Sequence, residues 1–282
     1  MRRGALLAVA PALTLVLLVF FAPLALLLSY SLLGYAGCRV VSALTLGHYT
    51  ALVTDPFYLR IIGRTFAVAL TTTLLSVVLG YPIAWQIART RSRLRPLMVL
   101  AVVAPLLVGG VIRGYGWMLI LDDGGLANGL LVRLGMIAAP TKLLFNFTGL
   151  VITMVEVMLP FFVLPLVGVL SNLDPALERA ALSMGASRLQ TFLEVTLPLS
   201  LVGVVGGASI VFSLAANIFV IPRIIGGPSY LLMSTLAYQQ IGSVGNWPFG
   251  SAVATFMLAA TLAVLVVGNR ALIRRFGHQG AV

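Results

Sequence analysis

At 282 residues the chain is long enough for one or two soluble domains, but 60% hydrophobic residues, 9% charged residues and a mean hydropathy of +1.10 lie outside the range of a water-soluble globule. The formal charge of +11 does not point to nucleic acid, because the arginines stand beside apolar runs instead of gathering with aromatics on one polar face. A single cysteine, Cys38, excludes an internal disulfide and a cysteine-based metal cluster, and it reads as a small packing residue.

After Arg2 and Arg3 no charge appears until Arg39, and Ala5 to Leu33 is longer than the ~20 apolar residues that a bilayer crossing needs. It exceeds a signal-peptide core and reads as the first span, with Arg2 and Arg3 holding the N-terminus in the cytoplasm. Gly34 to Tyr58 is more polar and is expected outside. The second span is Thr65 to Ala88, where Pro82 removes a backbone hydrogen bond and marks a site for a kink. It ends at Arg89-Thr-Arg-Ser-Arg-Leu-Arg95, and four arginines in seven residues belong in the cytoplasm by the positive-inside rule.

The third span, Leu97 to Leu121, carries Arg113 and runs into the turn Asp122-Asp123-Gly124-Gly125, after which Leu126 to Leu134 suits a short interfacial helix. Thr148 to Leu170, with Glu156, Pro160 and Pro165, is the fourth span. Leu199 to Ile221, before Pro222, is the fifth. From Gly226-Gly227-Pro228 to Asn246-Trp247-Pro248 an outer loop is expected, able to dip back into the membrane. The sixth, Gly250 to Asn269, returns to Arg270, Arg274 and Arg275. Six spans put both termini in the cytoplasm, with eleven basic residues inside, six outside and Arg113 within a span. The expected fold is an all-α membrane protein with six transmembrane helices, forming a single domain over residues 1–282.

Between spans four and five lies the polar stretch Asp174 to Pro198. Asp174 is a good N-cap and Pro175 suits the first helical position, so a helix is expected to begin there. Gly185 suits the left-handed turn that ends it, and Ser187 with Gln190 has the spacing of a capping box that starts a second helix, expected to stop before Pro198. Amphipathic through Leu177, Ala181, Leu182 and Met184, this pair fits a membrane surface or a partner protein.

Two charges sit inside apolar spans. Arg113 and Glu156 each lie about 12 Å from the outer end of their span at 1.5 Å per residue, so they can meet at one level. An isolated charge at mid-membrane costs about 2.5 to 3.5 kcal/mol, which favours a partner or a wet cavity. Two readings stay open: a polar feature on a transport pathway, where Glu156 attracts a cation, or a structural ion pair. Asn217, near Ser213, reads as interhelical glue or as a ligand contact, and Tyr115 and Trp117 as interface aromatics or as further pathway residues.

No phosphate-binding loop is present, since the sole lysine, Lys142, sits in Ala-Pro-Thr-Lys-Leu-Leu, so energy for any transport must come from elsewhere. His48 and His278 lie outside the spans and far apart, and no catalytic or metal-binding constellation is found.

The polar stretch resembles the EAA loop of inner-membrane permease subunits of bacterial ABC importers: Ala180 and Ala181 match the alanines, Gly185 the glycine, Val195 the aliphatic position and Leu197-Pro198 the ending. It departs where Arg179 stands at the glutamate position, with Glu178 one place earlier. Further segments resemble permeases of the spermidine/putrescine type: Pro105 with Val111-Ile-Arg-Gly-Tyr-Gly-Trp117, Gly125 to Asn128, Leu159 to Pro165, Phe219 to Pro222 with Gly226-Gly-Pro228, and Asn246 to Gly250.

The resemblance implies a type I importer permease fold in which residues 174–198 form a cytoplasmic coupling loop, with Glu178, Arg179, Ala180, Ala181, Met184, Gly185, Ala186 and Ser187 contacting an ATPase. It implies as partners two ATPase subunits that carry ATP and Mg, a second, related permease, and a periplasmic or extracellular solute-binding protein, with no cofactor in this chain. Transport would follow alternating access, with Arg113, Tyr115, Trp117, Glu156 and Asn217 as candidate pathway residues. Related permeases also serve phosphonates, opine-like compounds, thiamine and ferric iron. Glu156 favours a cation, whereas Ile218 stands before Phe219 where many polyamine-type members carry an acidic residue. An ion channel or secondary carrier would need no ATPase, and the capped helix pair argues against it.

Overall fold

The computed structural model describes residues 2–276. His278 lies outside the described residues. In chain order the elements are α1 (Arg2–Ser31), a hairpin of β1 (Leu33–Ala36) and β2 (Arg39–Leu44), α2 (Gly47–Thr54) and α3 (Pro56–Arg89). Then come α4 (Arg95–Val103), which runs into a 3-10 turn Ala104–Leu107, α5 (Gly110–Leu121), α6 (Leu126–Arg133) and α7 (Phe147–Asn172). The polar stretch holds α8 (Pro175–Ser183) and α9 (Arg188–Thr191), and α10 (Leu197–Asn217), α11 (Met233–Tyr238) and α12 (Trp247–Phe276) complete the chain. Five helices are long and apolar enough to cross a membrane, or six if the bent pair that contains α4 and α5 makes one span.

Several boundaries differ from expectation. The second span starts at Pro56, not Thr65, and the polar segment before it contains β1, β2 and α2. Gly37 and Cys38 both have positive φ, +56° and +59°, between the paired residues Ala36 and Arg39, as a two-residue hairpin turn with matching twist requires. Cys38 is therefore an exposed turn residue, not a packing residue.

The third span is not one helix. After Pro105, which has no N–H to donate, the chain extends at Val108 and Gly109 (ψ 125° and 141°), and the two halves meet at 98°. The fifth span ends at Asn217, where Ile218 turns extended, and the chain then makes a wide turn, Pro222–Gly226. The second helix of the polar stretch does not stop before Pro198: a π turn, Phe192–Thr196, leads straight into α10, with Leu197 N donating to Phe192 O. That wider spacing absorbs the hydrogen bond which Pro198 cannot make. The sixth span is extended at both ends, from Trp247 to Phe276.

The described residues form two compact units, one of the chain through Ile62 with Met233–Ala260, the other of Gly63–Leu232 with the chain from Thr261 onward. In the first, Tyr49 Oη donates to Ser31 Oγ at 2.7 Å and His48 Nε2 bonds Leu33 O at 2.9 Å, so His48 has a structural partner. The rings of His48 and Tyr58 pack on Phe249.

In the second, α7 packs along α10 around Phe162, which is fully buried. A Cβ on Gly80 of α3 would lie 2.6 Å from the Phe162 ring, and one on Gly207 of α10 would lie 2.9 Å from the ring and 3.1 Å from the Phe162 carbonyl oxygen. Glycines thus let the two helices approach a bulky ring from both sides. The stack of Phe66 on Phe212 and the Arg64 guanidinium 4.9 Å over the Tyr230 ring continue this unit. Gly207→Leu should destabilise the chain by about 1–3 kcal/mol through overpacking, whereas Gly206→Leu, where a Cβ meets nothing within 4 Å, should leave thermal unfolding in detergent nearly unchanged.

Candidate functional site

The segment 174–198 is assembled from local signals. Asp174 Oδ1 accepts from Ala176 N at 2.8 Å and Pro175 opens α8. Past its end Gly185 holds φ +94°, a region that L side chains avoid, while Ala186 N donates to Ala181 O and Gly185 N to Leu182 O. These two bonds are a Schellman motif, which satisfies carbonyls that the helix end would leave open. Ser187 Oγ accepts from Gln190 N while Gln190 Oε1 accepts from Ser187 N, closing the capping box.

Each candidate coupling residue has a distinct place. Arg179, Ala180, Met184, Gly185 and Ser187 are exposed, Met184 at 83%, Ala186 is half-buried and Ala181 is buried. Glu178 faces inward. Its Oε1 accepts from Arg89 Nη2 at 2.5 Å and from Thr196 Oγ1 at 2.9 Å, and Arg89 Nη1 also donates to the Leu173 carbonyl at 3.2 Å. One mostly buried carboxylate therefore ties α8 to the last residue of α3 and to the turn that enters α10. Beside it a cleft of about 910 Å³ is lined by Tyr81, Trp85, Leu182, Leu189 and Phe192. Sequence reading took Arg89 as a topology signal only, because its partner is 89 residues away. Thr196 carried no signal at all.

The second group centres on Glu156 of α7. Its Oε1 stands 3.7 Å from Arg113 Nη1, and its Oε2 accepts from Trp117 Nε1 at 3.1 Å. Arg113 Nη1 also donates to Pro105 O at 2.9 Å, so the guanidinium bridges the break before α5, while its Nε is buried with no hydrogen-bond partner. Trp117 was legible, since residues four apart share a helix face. Tyr115 is 58% exposed, and Asn217, also exposed, donates to Ser213 O at 2.9 Å and reaches Thr261 Oγ1 at 3.5 Å. The structure thus brings Arg113, Trp117 and Glu156 together, and Asn217 bonds elsewhere.

Comparisons with known proteins agree with this architecture. The chain is 35% identical over 223 residues to the spermidine/putrescine transport system permease protein PotB of Escherichia coli (strain K12), covering 79% of this chain and 81% of that protein. PotB of Haemophilus influenzae is 31% identical over 264 residues, 92% of each chain. Among solved structures, a chain of the bacterial alginate ABC transporter in complex with alginate pentasaccharide-bound periplasmic protein superposes with a TM-score of 0.75 at 20% identity, covering 97% of this chain and 96% of that one.

The fold is that of the multi-pass, inner-membrane permease of an ABC importer. The chain belongs to the family of binding-protein-dependent transport system inner membrane components, whose model matches residues 76–278.

A double-mutant cycle checks the pair in α5 and α7. Arg113→Met and Glu156→Gln should each lower stability, and the double variant should recover about 1 kcal/mol of coupling in thermal or denaturant unfolding. Additive losses would mean that the two charges do not interact.

Proposed function

We propose that this chain is the translocating subunit of an ATP-driven importer of a small polyamine-like organic cation. The observation that carries the reading is the identity of 31–35% with two spermidine/putrescine permeases over 79–92% of this chain. In this reading residues 1–282 act as one permease domain with both termini in the cytoplasm, and the chain itself catalyses no reaction. Its partners are two ATPase subunits that bind ATP and Mg, a second, related permease, and a periplasmic solute-binding protein.

The loop 174–198 is the coupling element. Arg179, Ala180, Met184, Gly185 and Ser187 offer the outward contact surface, with Ala181 and Ala186 behind it. Glu178 acts differently from a docking glutamate: through Arg89 and Thr196 it passes movement of α8 to the ends of α3 and α10. Alternating access then needs α3, α7 and α10 to change their packing, a motion on the microsecond to millisecond scale for helices that slide or tilt.

Glu156 supplies the negative group for the solute. Its side chain is 29% exposed, and at 3.7 Å its Oε1 is in ion-pair range of Arg113 but beyond a hydrogen bond. A cationic amine can take that oxygen without breaking a short contact, while Trp117 holds the other oxygen in place.

Two measurements on the reconstituted complex test this. Glu156→Gln should lower spermidine or putrescine uptake into vesicles by about tenfold, the order expected for one lost charge-assisted contact, with all subunits still assembled; unchanged uptake would remove Glu156 from the pathway. Gly185→Pro should abolish retention of the ATPase during purification, because proline is held near φ −65° and cannot adopt +94°. An ATPase that stays bound would place the contact elsewhere.

A further inference from the structure

At the junction of α3, α4, α7 and α8 lies a polar cavity of about 380 Å³, separate from the apolar cleft and from Glu156. Arg89, Arg91 and Arg95 line it together with Thr90, Ser92 and Ser171, and no carboxylate is among its lining residues. The nearest acids in sequence are already used: Glu178 by Arg89 and Thr196, and Asp174 by the N-terminus of α8.

Thr90 Oγ1 donates to Gln86 O at 2.6 Å, and the two serine hydroxyls are arranged as donors. Ser171 Oγ accepts from Arg95 Nη2 at 2.9 Å and Ser92 Oγ accepts from Leu94 N at 3.2 Å, so each serine keeps its own proton for another acceptor. Arg89 Nε is buried and has no hydrogen-bond partner. Among the described residues no acid is paired with Arg91 or Arg95.

Three guanidinium groups around one small cavity repel one another, and a single shared carboxylate neutralises only one of them. A tetrahedral oxyanion with several acceptor oxygens matches this set, because guanidinium forks bind phosphate oxygens in pairs and serine hydroxyls fill the remaining lone pairs. We infer that the cavity is a binding site for a phosphate group. It stands where α3 ends in its run of arginines, a position at which basic pockets between spans receive anionic headgroups. Occupancy would neutralise the pair Arg91 and Arg95 and brace the end of α3, on which the Glu178 contact depends. The inference is independent of which solute is carried.

The test uses the full-length chain in neutral detergent, observed by native mass spectrometry with added phosphatidylglycerol or phosphatidylcholine, and by calorimetric titration with inorganic phosphate. The wild-type chain should retain phosphatidylglycerol over phosphatidylcholine. Arg91→Gln and Arg95→Gln together should weaken that retention about 30-fold, at about fivefold for each basic group. Ser171→Ala, a milder change, should cost about fivefold with helix content intact by circular dichroism.

Arg93→Gln is the control, since Arg93 belongs to the same arginine run but does not line the cavity. It should cost less than either neighbour. Displacement of the lipid by inorganic phosphate identifies a soluble phosphate as a competent source, and persistence of the lipid identifies the headgroup; both uphold a phosphate site. Absence of both lipid preference and phosphate binding, or an equal loss from Arg91→Gln and Arg93→Gln, overturns it.

Discussion

The carboxylate of Glu178 is the contact that ties the 174–198 segment to the long helices of the chain. It holds a guanidinium at the end of α3 and a hydroxyl at the entry to α10, so α8 is joined to two long helices. Hydrogen bonds to a charged group contribute about 1.5–3 kcal/mol each, more than the ordinary contacts of an exposed loop. The Arg89 bond to the Leu173 carbonyl adds a third anchor just before α8 begins. A force applied to the exposed face of α8 therefore meets stiff connections on its inner face. In the proposed coupling, contiguous hydrogen-bonded elements carry such a force between distant sites, and the first of them is a single side chain.

Irregular backbone is the second constraint. In an apolar solvent every peptide group left open by a helix break must find a partner within the protein. Before α5 the Pro105 carbonyl accepts from both Val108 N and Arg113 Nη1, and at the wide turn Pro222–Gly226 the Ile225 carbonyl accepts from Phe145 N. The charge in the third span thus has a structural task in addition to its place beside Glu156. In the folded chain the Arg113 guanidinium both bonds the carbonyl before a break and flanks the Glu156 carboxylate.

What could be read from the sequence was what is decided locally. Asp174, Gly185 and the Ser187–Gln190 pair fix caps and turns through atoms within a few residues of each other, and all three appear as their spacing requires. The fourth span was similarly legible, expected over Thr148 to Leu170 and found over Phe147–Asn172. The breaks in the third and fifth spans were not: Pro105 and Gly109 show only that the third is able to bend, and the contact that accompanies its bend, Arg113 on the Pro105 carbonyl, forms in the folded chain. The continuation of helix through Pro198 was missed for the same reason: a π turn that ends two residues earlier removes the expected conflict. The partnership of Glu178 with Arg89 was beyond any periodicity, since it joins the ends of two helices far apart in the chain.

Charge placement around Glu156 bears on what such a site can bind. A fully hydrogen-bonded ion pair in an apolar environment is satisfied and resists exchange, and removing either member leaves a costly orphan. The pair here is looser. Arg113 spends a short hydrogen bond on Pro105, stands 3.7 Å from Glu156, and leaves one carboxylate oxygen without a close donor, while Trp117 fixes the other. The neighbouring guanidinium leaves the acceptor capacity of that oxygen unused. A group with its own N–H donors and positive charge gains a hydrogen bond at that oxygen that the resting chain does not make. A neutral hydroxyl or amide donor gains a weaker bond at the same oxygen, and a carboxylate meets like charge there. Under the proposed function, this open acceptor is the group that an ammonium of the solute would take up.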